Sequence, residues 1–88
     1  MKKQTKKIVF KIYAPEAQEI YLTGDFNEWD YRSLSMVKRE DGVWEVEQEL
    51  LPGEYQYKYI IDGRWEIDNR QEMRANEFGT MNNIIKIN

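Results

Sequence analysis

The 88-residue sequence contains no cysteine and no histidine. Without cysteine it can form no disulfide and no thiolate nucleophile, and without either residue type it lacks the usual ligands of zinc. The absence of histidine also removes the side chain that most often acts as a general base near neutral pH. Any acid–base chemistry would therefore have to rest on Asp, Glu, Lys or Tyr.

The sequence also lacks a long apolar run. No stretch approaches eighteen consecutive apolar residues, and the lysine-rich start is not followed by a signal-peptide pattern. It contains no Asn-x-Ser/Thr glycosylation acceptor. We therefore expect a cytoplasmic protein that has no membrane partner.

Basic residues are outnumbered by acidic ones and are unevenly placed. The chain has 13 Lys+Arg and 16 Asp+Glu. Four of the lysines fall within the first seven residues: Lys2, Lys3, Lys6 and Lys7. Without them, 9 basic and 16 acidic residues leave a net charge of −7 on the body, which argues against a nucleic-acid partner. We predict a basic, disordered tail over residues 1–7 and one domain over residues 8–88.

Short alternating runs separated by turn signals dominate this domain, which is typical of an all-β fold. The clearest run is 43–50, where Trp44, Val46 and Leu50 alternate with glutamates that must face water. Two Asp-Gly pairs, at 41–42 and 62–63, predict tight hairpins. We predict an antiparallel sandwich of seven or eight strands, with strands near 8–13, 19–24, 36–38, 43–50, 55–61, 65–67 and 82–87 and a long loop over 69–77.

The second Asp-Gly turn predicts the register of the strands on either side of it. Ile60 should oppose Trp65, and Lys58 should oppose Ile67. Opposed residues share a face of the sheet, so Lys58 and Trp65 should project from the same side. That side is opposite to the packing face formed by the alternating tyrosines of this strand. The pattern therefore places a tryptophan and a lysine together on an exposed surface.

Four ordered motifs carry a family resemblance. They lie at residues 21–29, 51–59, 62–65 and 79–85. Together they resemble the family 48 carbohydrate-binding modules, most of all the glycogen-binding domain of AMP-activated protein kinase β-subunits, and less closely the N-terminal domains of branching enzymes and isoamylases. The resemblance spans about residues 8–87 and implies an immunoglobulin-like β-sandwich of the early-set type.

The resemblance implies a non-catalytic domain without cofactor or metal that binds α-1,4-glucan: glycogen, starch, malto-oligosaccharide or β-cyclodextrin. Trp29 and Trp65 match the pair of rings that clasps glucose units. A kinase or an amylolytic enzyme is the implied protein partner. Residues 31–40 belong to a segment that looks longer than in the kinase domain, so their alignment is open.

The resemblance also implies hydrogen-bonding residues around the two rings. Lys58 and Asn82 match partners of sugar hydroxyls, and Thr80 matches a neighbouring position. Phe78 stands where the kinase domain has leucine, so it either adds a third ring surface or is repacked. The alternative for Lys58 is a surface lysine paired with one of the many carboxylates.

The chemistry of sugars favours the same residues independently. A pyranose offers a face of C–H groups fringed by hydroxyls, which suits a flat ring with donors and acceptors at its edge. An isolated tryptophan in a small β-domain is more often part of the core. We assign Trp44 to the core because it alternates in phase with apolar residues. Trp29, in a polar loop, and Trp65, near Lys58, are assigned to a binding surface.

Three alternatives remain open from the sequence. The chain could be a protein-interaction domain of the same fold, or the accessory domain of an amylolytic enzyme. Its start at Met1 and its end about one residue after the last predicted strand favour a complete small protein or a closely trimmed domain. Two acidic clusters lie near the rings: Asp25, Glu28 and Asp30 in one loop, and Glu66 and Asp68 after Trp65. A carboxylate pair for glycoside hydrolysis is conceivable, but we do not expect so thin a domain to desolvate one.

Overall fold

The computed structural model of the chain describes residues 4–88, which form eight strands and two short 3₁₀ turns. The strands are β1 Lys6–Tyr13, β2 Ile20–Gly24, β3 Val37–Lys38, β4 Val43–Leu50, β5 Gly53–Ile61, β6 Arg64–Glu66, β7 Met73–Ala75 and β8 Met81–Ile87. Every pairing among them is antiparallel, so the predicted all-β class is confirmed. Within residues 4–88, no helix has the length and apolar character needed to cross a bilayer.

The strands form two sheets that enclose one core as a β-sandwich. One sheet has the order β1-β4-β3, and the other has the order β2-β5-β8-β7 with β6 also paired to β5. Trp44 lies in the core as predicted, where its indole Nε1 donates to the carbonyl oxygen of Ala14 at 2.9 Å. The largest fully buried side chains are those of Tyr59, Ile20, Leu22, Asn83 and Thr23.

Two tyrosines of β5 point into this core. Tyr57 and Tyr59 are both buried, and their rings meet edge to face at 5.8 Å. Burial raises the pKa of Tyr57 to about 12, and the negative charge of Asp68 adds to the effect. Burial likewise raises the pKa of Tyr59. Both phenols therefore remain neutral at physiological pH, and the predicted packing face of β5 is confirmed.

Of the two Asp-Gly turns, the second is the two-residue hairpin that its sequence predicts. The prediction is wrong for the first, because the N–H of Arg39 donates to the carbonyl oxygen of Val43 and three residues, 40–42, lie between them. Asp62 and Gly63 have φ angles of 50° and 85°, so both central residues are left-handed, as in a type I′ hairpin. Ile60 then opposes Trp65, as predicted. β6 ends at Glu66, so Ile67, the predicted partner of Lys58, lies one residue beyond the end of the β5–β6 pairing. The exposed side of the sheet nevertheless carries both Lys58 of β5 and its diagonal neighbour Trp65 of β6.

The first strand begins earlier than the sequence predicts. β1 starts at Lys6, and Lys6 and Lys7 pair with Leu50 and Glu49 of β4. The prediction of a disordered tail over residues 1–7 is therefore wrong for these two lysines, while residues 1–3 of that tail lie outside the described residues. Lysines are common on edge strands, and Lys7 stands opposite a glutamate, a favourable cross-strand pair.

The predicted long loop over 69–77 contains an additional strand, β7, which pairs with the start of β8. The chain before it is fastened by Asn83, which is fully buried. Its Oδ1 accepts from the backbone N–H of Asp68 at 2.7 Å, and its Nδ2 donates to the carbonyl oxygens of Asp68 and Glu72. The second asparagine of the Asn-Asn pair is thus structural, and the first, Asn82, faces the opposite side of the sheet.

Candidate functional site

The six predicted site residues line a single groove on the outer face of the five-stranded sheet. This groove, which we call the aromatic groove, has a volume of about 530 Å³. Its walls are Asp25, Trp29, Gln56, Lys58, Trp65, Ala75, Asn76, Glu77, Phe78, Thr80 and Asn82. They come from the segment after β2, from β5 and β6, and from the chain that runs from the end of β7 into the start of β8. The fold thus brings together residues that are far apart in the sequence.

Three rings give the groove an unusual amount of exposed aromatic surface. Phe78 is 83% exposed and Trp65 is 52% exposed, while Trp29 is half-buried. Large apolar side chains rarely cluster on a surface unless they bind something. Phe78 is therefore not repacked into the core, and its exposed ring lines the groove beside the two tryptophans. Tyr31 extends the cluster, since its ring centroid lies 6.4 Å from that of Trp65.

The loop that carries Trp29 is held in a strained conformation. Glu28 and Trp29 have φ angles of 56° and 59°, a left-handed geometry that bulky side chains rarely adopt. Such residues cost on the order of 1–3 kcal/mol and concentrate at functional sites. The side chain of Asn27 compensates: its Oδ1 accepts from the N–H of Gly24 at 2.9 Å, and its Nδ2 donates to the carbonyl oxygen of Asp30 at 3.0 Å.

Asp25 fixes the Trp29 ring to the sheet. Its Oδ1 accepts from the indole Nε1 of Trp29 at 2.9 Å, and its Oδ2 accepts from the backbone N–H of Gln56 at 2.8 Å. The loop reaches β5 closely because residue 24 is glycine. A Cβ on Gly24 would lie 2.5 Å from the carbonyl oxygen of Gln56, so any other residue would push the loop away.

Asn76 organises the chain that presents Phe78. Its Oδ1 accepts from the backbone N–H groups of Phe78 at 2.9 Å and Thr80 at 3.1 Å. Its Nδ2 donates to Thr80 Oγ1 at 2.7 Å and to Asn82 Oδ1 at 3.1 Å. Sequence reasoning missed this residue, although an asparagine three positions before Gly79 is a turn signal.

The remaining polar groups form one connected network. The ammonium of Lys58 donates to Thr80 Oγ1 at 3.2 Å, which leaves two of its three protons for a ligand. Asn82 is buried, and its Nδ2 donates to Gln56 Oε1 at 2.8 Å. Since its Oδ1 already accepts from Asn76, Asn82 meets the groove with a firmly oriented amide.

The acidic candidates for catalysis do not converge in the groove. Asp25 lines it, but both of its oxygens accept hydrogen bonds from the protein. Asp68 is buried outside the groove, where its Oδ1 accepts from the N–H of Arg70 at 3.0 Å. Among residues 4–88, no group of three or more acidic side chains is arranged to hold a metal ion. The groove offers flat apolar rings with hydrogen-bonding groups between them, an arrangement that suits a sugar ring.

Comparison with known families leads to the same chemistry. The family model described as the glycogen recognition site of AMP-activated protein kinase matches residues 7–88. The chain belongs to this family. The resemblance seen in the four sequence motifs is therefore confirmed, and a carbohydrate-recognition domain is the class into which the chain falls.

Two kinds of relative share the domain. The chain is 49% identical over 63 residues to the 1,4-alpha-glucan branching enzyme of Aquifex aeolicus, covering 67% of this chain and 10% of the enzyme. It is 33% identical over 84 residues to the β-1 subunit of 5'-AMP-activated protein kinase from Sus scrofa and from Homo sapiens, covering 96% of this chain. The match spans 66% of the pig sequence and 30% of the human one. The chain thus matches only part of the length of each of these relatives.

Proposed function

We propose that this chain is a non-catalytic module that binds α-1,4-glucan in the aromatic groove, with glucose rings stacked on Trp29 and Trp65. The observation that carries the proposal is that both rings, Phe78, Lys58 and Asn82 line one groove in a chain of the glycogen-recognition family. Glycogen, starch, malto-oligosaccharides and β-cyclodextrin all present the same α-1,4-linked glucose units to such a groove.

Stacking supplies the main attraction in this account. Each of the two tryptophans would cover the C–H face of one glucose unit; stacking of other flat ring systems on aromatic side chains is worth roughly 1–3 kcal/mol per contact. The ring of Phe78 is exposed in the same groove and would contact a third unit. Because Asp25 and Asn76 hold these rings in place before the ligand arrives, little side-chain entropy is lost on binding.

Hydrogen bonds at the groove floor would then select the orientation of the chain. Lys58 has donors left for two hydroxyls, Thr80 keeps its hydroxyl proton to donate, and the amide of Asn82 can both donate and accept. Asp25 and Glu77 carry negative charge near Lys58, so the groove does not favour a phosphorylated ligand. We therefore expect recognition of neutral sugar.

The relatives suggest the setting in which such a module acts. One group carries the domain within a kinase β-subunit and the other within a branching enzyme, as their names state. We propose that this domain similarly holds a kinase or an amylolytic enzyme on a glucan surface, in the cytoplasm where glycogen is stored. The module itself would supply binding and no turnover.

A fluorescence titration tests the proposal. Maltoheptaose or β-cyclodextrin should change the tryptophan emission saturably, and replacing Trp29 or Trp65 with Phe should show which ring reports the change. Buried Trp44 serves as the internal reference. Prolonged incubation with glycogen should release no reducing ends, and binding should vary little with salt because neutral sugar releases no counterions.

Each failure has a distinct meaning. Reducing ends that disappear when Asp25 or Glu66 is changed would make the chain an enzyme. A steep loss of binding with added salt would point to a charged ligand. No saturable signal from any α-glucan would contradict the proposed function and leave the exposed rings as a protein-binding patch.

A further inference from the structure

A second groove begins where the aromatic groove ends. It has a volume of about 480 Å³ and shares Lys58, Trp65 and Thr80 with the aromatic groove. These three residues therefore form a common boundary between the two depressions. The second groove continues past Trp65, away from Trp29 and Phe78, neither of which lines it.

The walls peculiar to the second groove mix apolar and hydrogen-bonding groups. Met81 is 38% exposed and Ile67 is half-buried, which gives an apolar floor. The amide of Asn69 is exposed beside them. The carboxylate of Glu66 is held by Arg64, whose Nε lies 3.3 Å from its Oε2. Apolar surface bordered by an amide and a carboxylate suits the C–H groups and hydroxyls of a sugar.

We propose that the second groove binds further glucose units of the same α-glucan, so that the site extends beyond Trp65. The proposal rests on the proposed function, because it assumes that the aromatic groove holds the first units. Its own basis is continuity: a chain leaving the aromatic groove over Trp65 passes directly onto Met81 and Asn69. Lys58 lines both grooves and can donate to hydroxyls on either side of the boundary.

The chain offers a closely matched control for a test of this extension. Met73 is 38% exposed, like Met81, and lies on the neighbouring strand β7, but it lines neither groove. The test variant is Asn69→Ala combined with Met81→Ala, and the control variant is Met73→Ala. Each protein is titrated calorimetrically with maltotriose, which is short enough for the aromatic groove alone, and with maltoheptaose. A melting curve for each variant shows that it is folded.

The quantity to compare is the ratio of the two affinities within each protein. A long chain gains affinity simply because it offers more registers, and this statistical gain is the same in every variant. We expect the double variant to bind maltotriose like the wild type but to lose about three- to tenfold in affinity for maltoheptaose, the equivalent of one or two contacts. Met73→Ala should keep the wild-type ratio.

Several results would overturn the extension without touching the proposed function. An unchanged ratio in the double variant, for maltoheptaose and for a branched sugar of seven glucose units alike, would do so, as would an equal loss in the Met73→Ala control. A loss of maltotriose binding in the folded double variant would place Asn69 and Met81 in the primary site, which also contradicts the proposal. If no sugar binds the wild type, the proposed function fails and the extension fails with it.

The additional units could belong to the main chain or to an α-1,6 branch. Repeating the titration with a branched oligosaccharide of seven glucose units separates the two sources. An effect of the double variant on maltoheptaose assigns the second groove to the linear chain, and an effect on the branched sugar alone assigns it to the branch. Backbone NMR shifts at Asn69 and Met81 that respond to either seven-unit sugar but not to maltotriose would support the proposal directly.

Discussion

Asp25 and Trp29 are joined by a 2.9 Å hydrogen bond from the indole Nε1 to the carboxylate Oδ1. Because the other oxygen of Asp25 accepts from the N–H of Gln56, this bond ties a ring on a loop to the rigid strand β5. In the proposed glucan complex, the carboxylate would therefore act on the ligand through the tryptophan. The hydrogen bond fixes the ring of Trp29 before binding, which would reduce the conformational entropy lost when the complex forms.

Removing the carboxylate of Asp25 should lower the affinity for glucan more than it lowers the stability of the fold. We expect Asp25→Ala to reduce the affinity for maltoheptaose about tenfold, the equivalent of roughly 1.4 kcal/mol. Asp25→Asn, which keeps one accepting oxygen, should have an intermediate effect. Asp30→Ala is the matched control, because within residues 4–88 its carboxylate accepts only from the nearby N–H of Arg32. Calorimetric titration that gives the same affinity for Asp25→Ala and Asp30→Ala would contradict the positioning role.

The three tryptophans should separate into two classes on mutation. Trp44→Ala should destabilise the domain by about 3–5 kcal/mol, as the loss of a buried aromatic side chain does. Trp29→Ala and Trp65→Ala should abolish most glucan binding and leave the melting temperature nearly unchanged, because these rings contribute to the complex and little to the core. Thermal melts that failed to separate Trp44 from the other two would overturn the division into inner and outer rings.

Asn76 should influence binding through the position of Phe78. Asn76→Asp keeps the oxygen that accepts from the N–H groups of Phe78 and Thr80 but loses the donating amide, so it should weaken binding less than Asn76→Ala does. A double-mutant cycle with Phe78→Ala gives the sharper measurement. If Asn76 acts by placing the ring, Phe78→Ala should cost little additional affinity in the Asn76→Ala background. Full additivity would show that Asn76 acts independently of Phe78.

The stability of the domain should depend on pH through Asp62. The backbone N–H groups of Gln18 and Glu19 donate to its Oδ1, each at 2.9 Å, and these bonds hold the pKa of the carboxyl below its usual 3.8. A depressed pKa means that the stabilisation is full above about pH 4 and is lost as pH falls through the lower folded-state value. Asp62→Asn should therefore lower the melting temperature at pH 7, and the difference from wild type should narrow below pH 3.8. A difference that stays constant with pH would show that the charge is not responsible.

Local signals in the sequence were sufficient where turn chemistry and alternation agreed. The run from Val43 to Leu50 forms β4 with the predicted bounds, because its apolar face has a core to meet. The Asp62-Gly63 turn sets the predicted opposition of Ile60 and Trp65, since a two-residue hairpin fixes register. These features depend on residues that are close together in the chain.

Features that depend on distant partners were not predictable in the same way. In the sequence alone, Lys6 and Lys7 resemble a solvated tail. Only the pairing of β1 with β4 brings Glu49 beside them. The hydrogen bond from the backbone N–H of Gln56 to the carboxylate of Asp25 joins residues on different elements, and neither sequence motif predicts it. The left-handed backbone of Trp29 was not predictable from the sequence either, because glycine is the residue that usually signals this conformation. Six of the residues that line the aromatic groove were thus predictable from the sequence, whereas the groups that hold them in place required the folded structure.

Co-sedimentation with glycogen tests the central claim most directly. The wild-type chain should sediment with glycogen, and maltoheptaose should release it while a β-1,4-linked cello-oligosaccharide should not. The Trp65→Ala variant, shown by its melting curve to be folded, should remain in the supernatant. Wild-type chain that stays in the supernatant at excess glycogen, or folded Trp65→Ala that sediments like the wild type, would contradict the account of a glucan-binding module built on the aromatic groove.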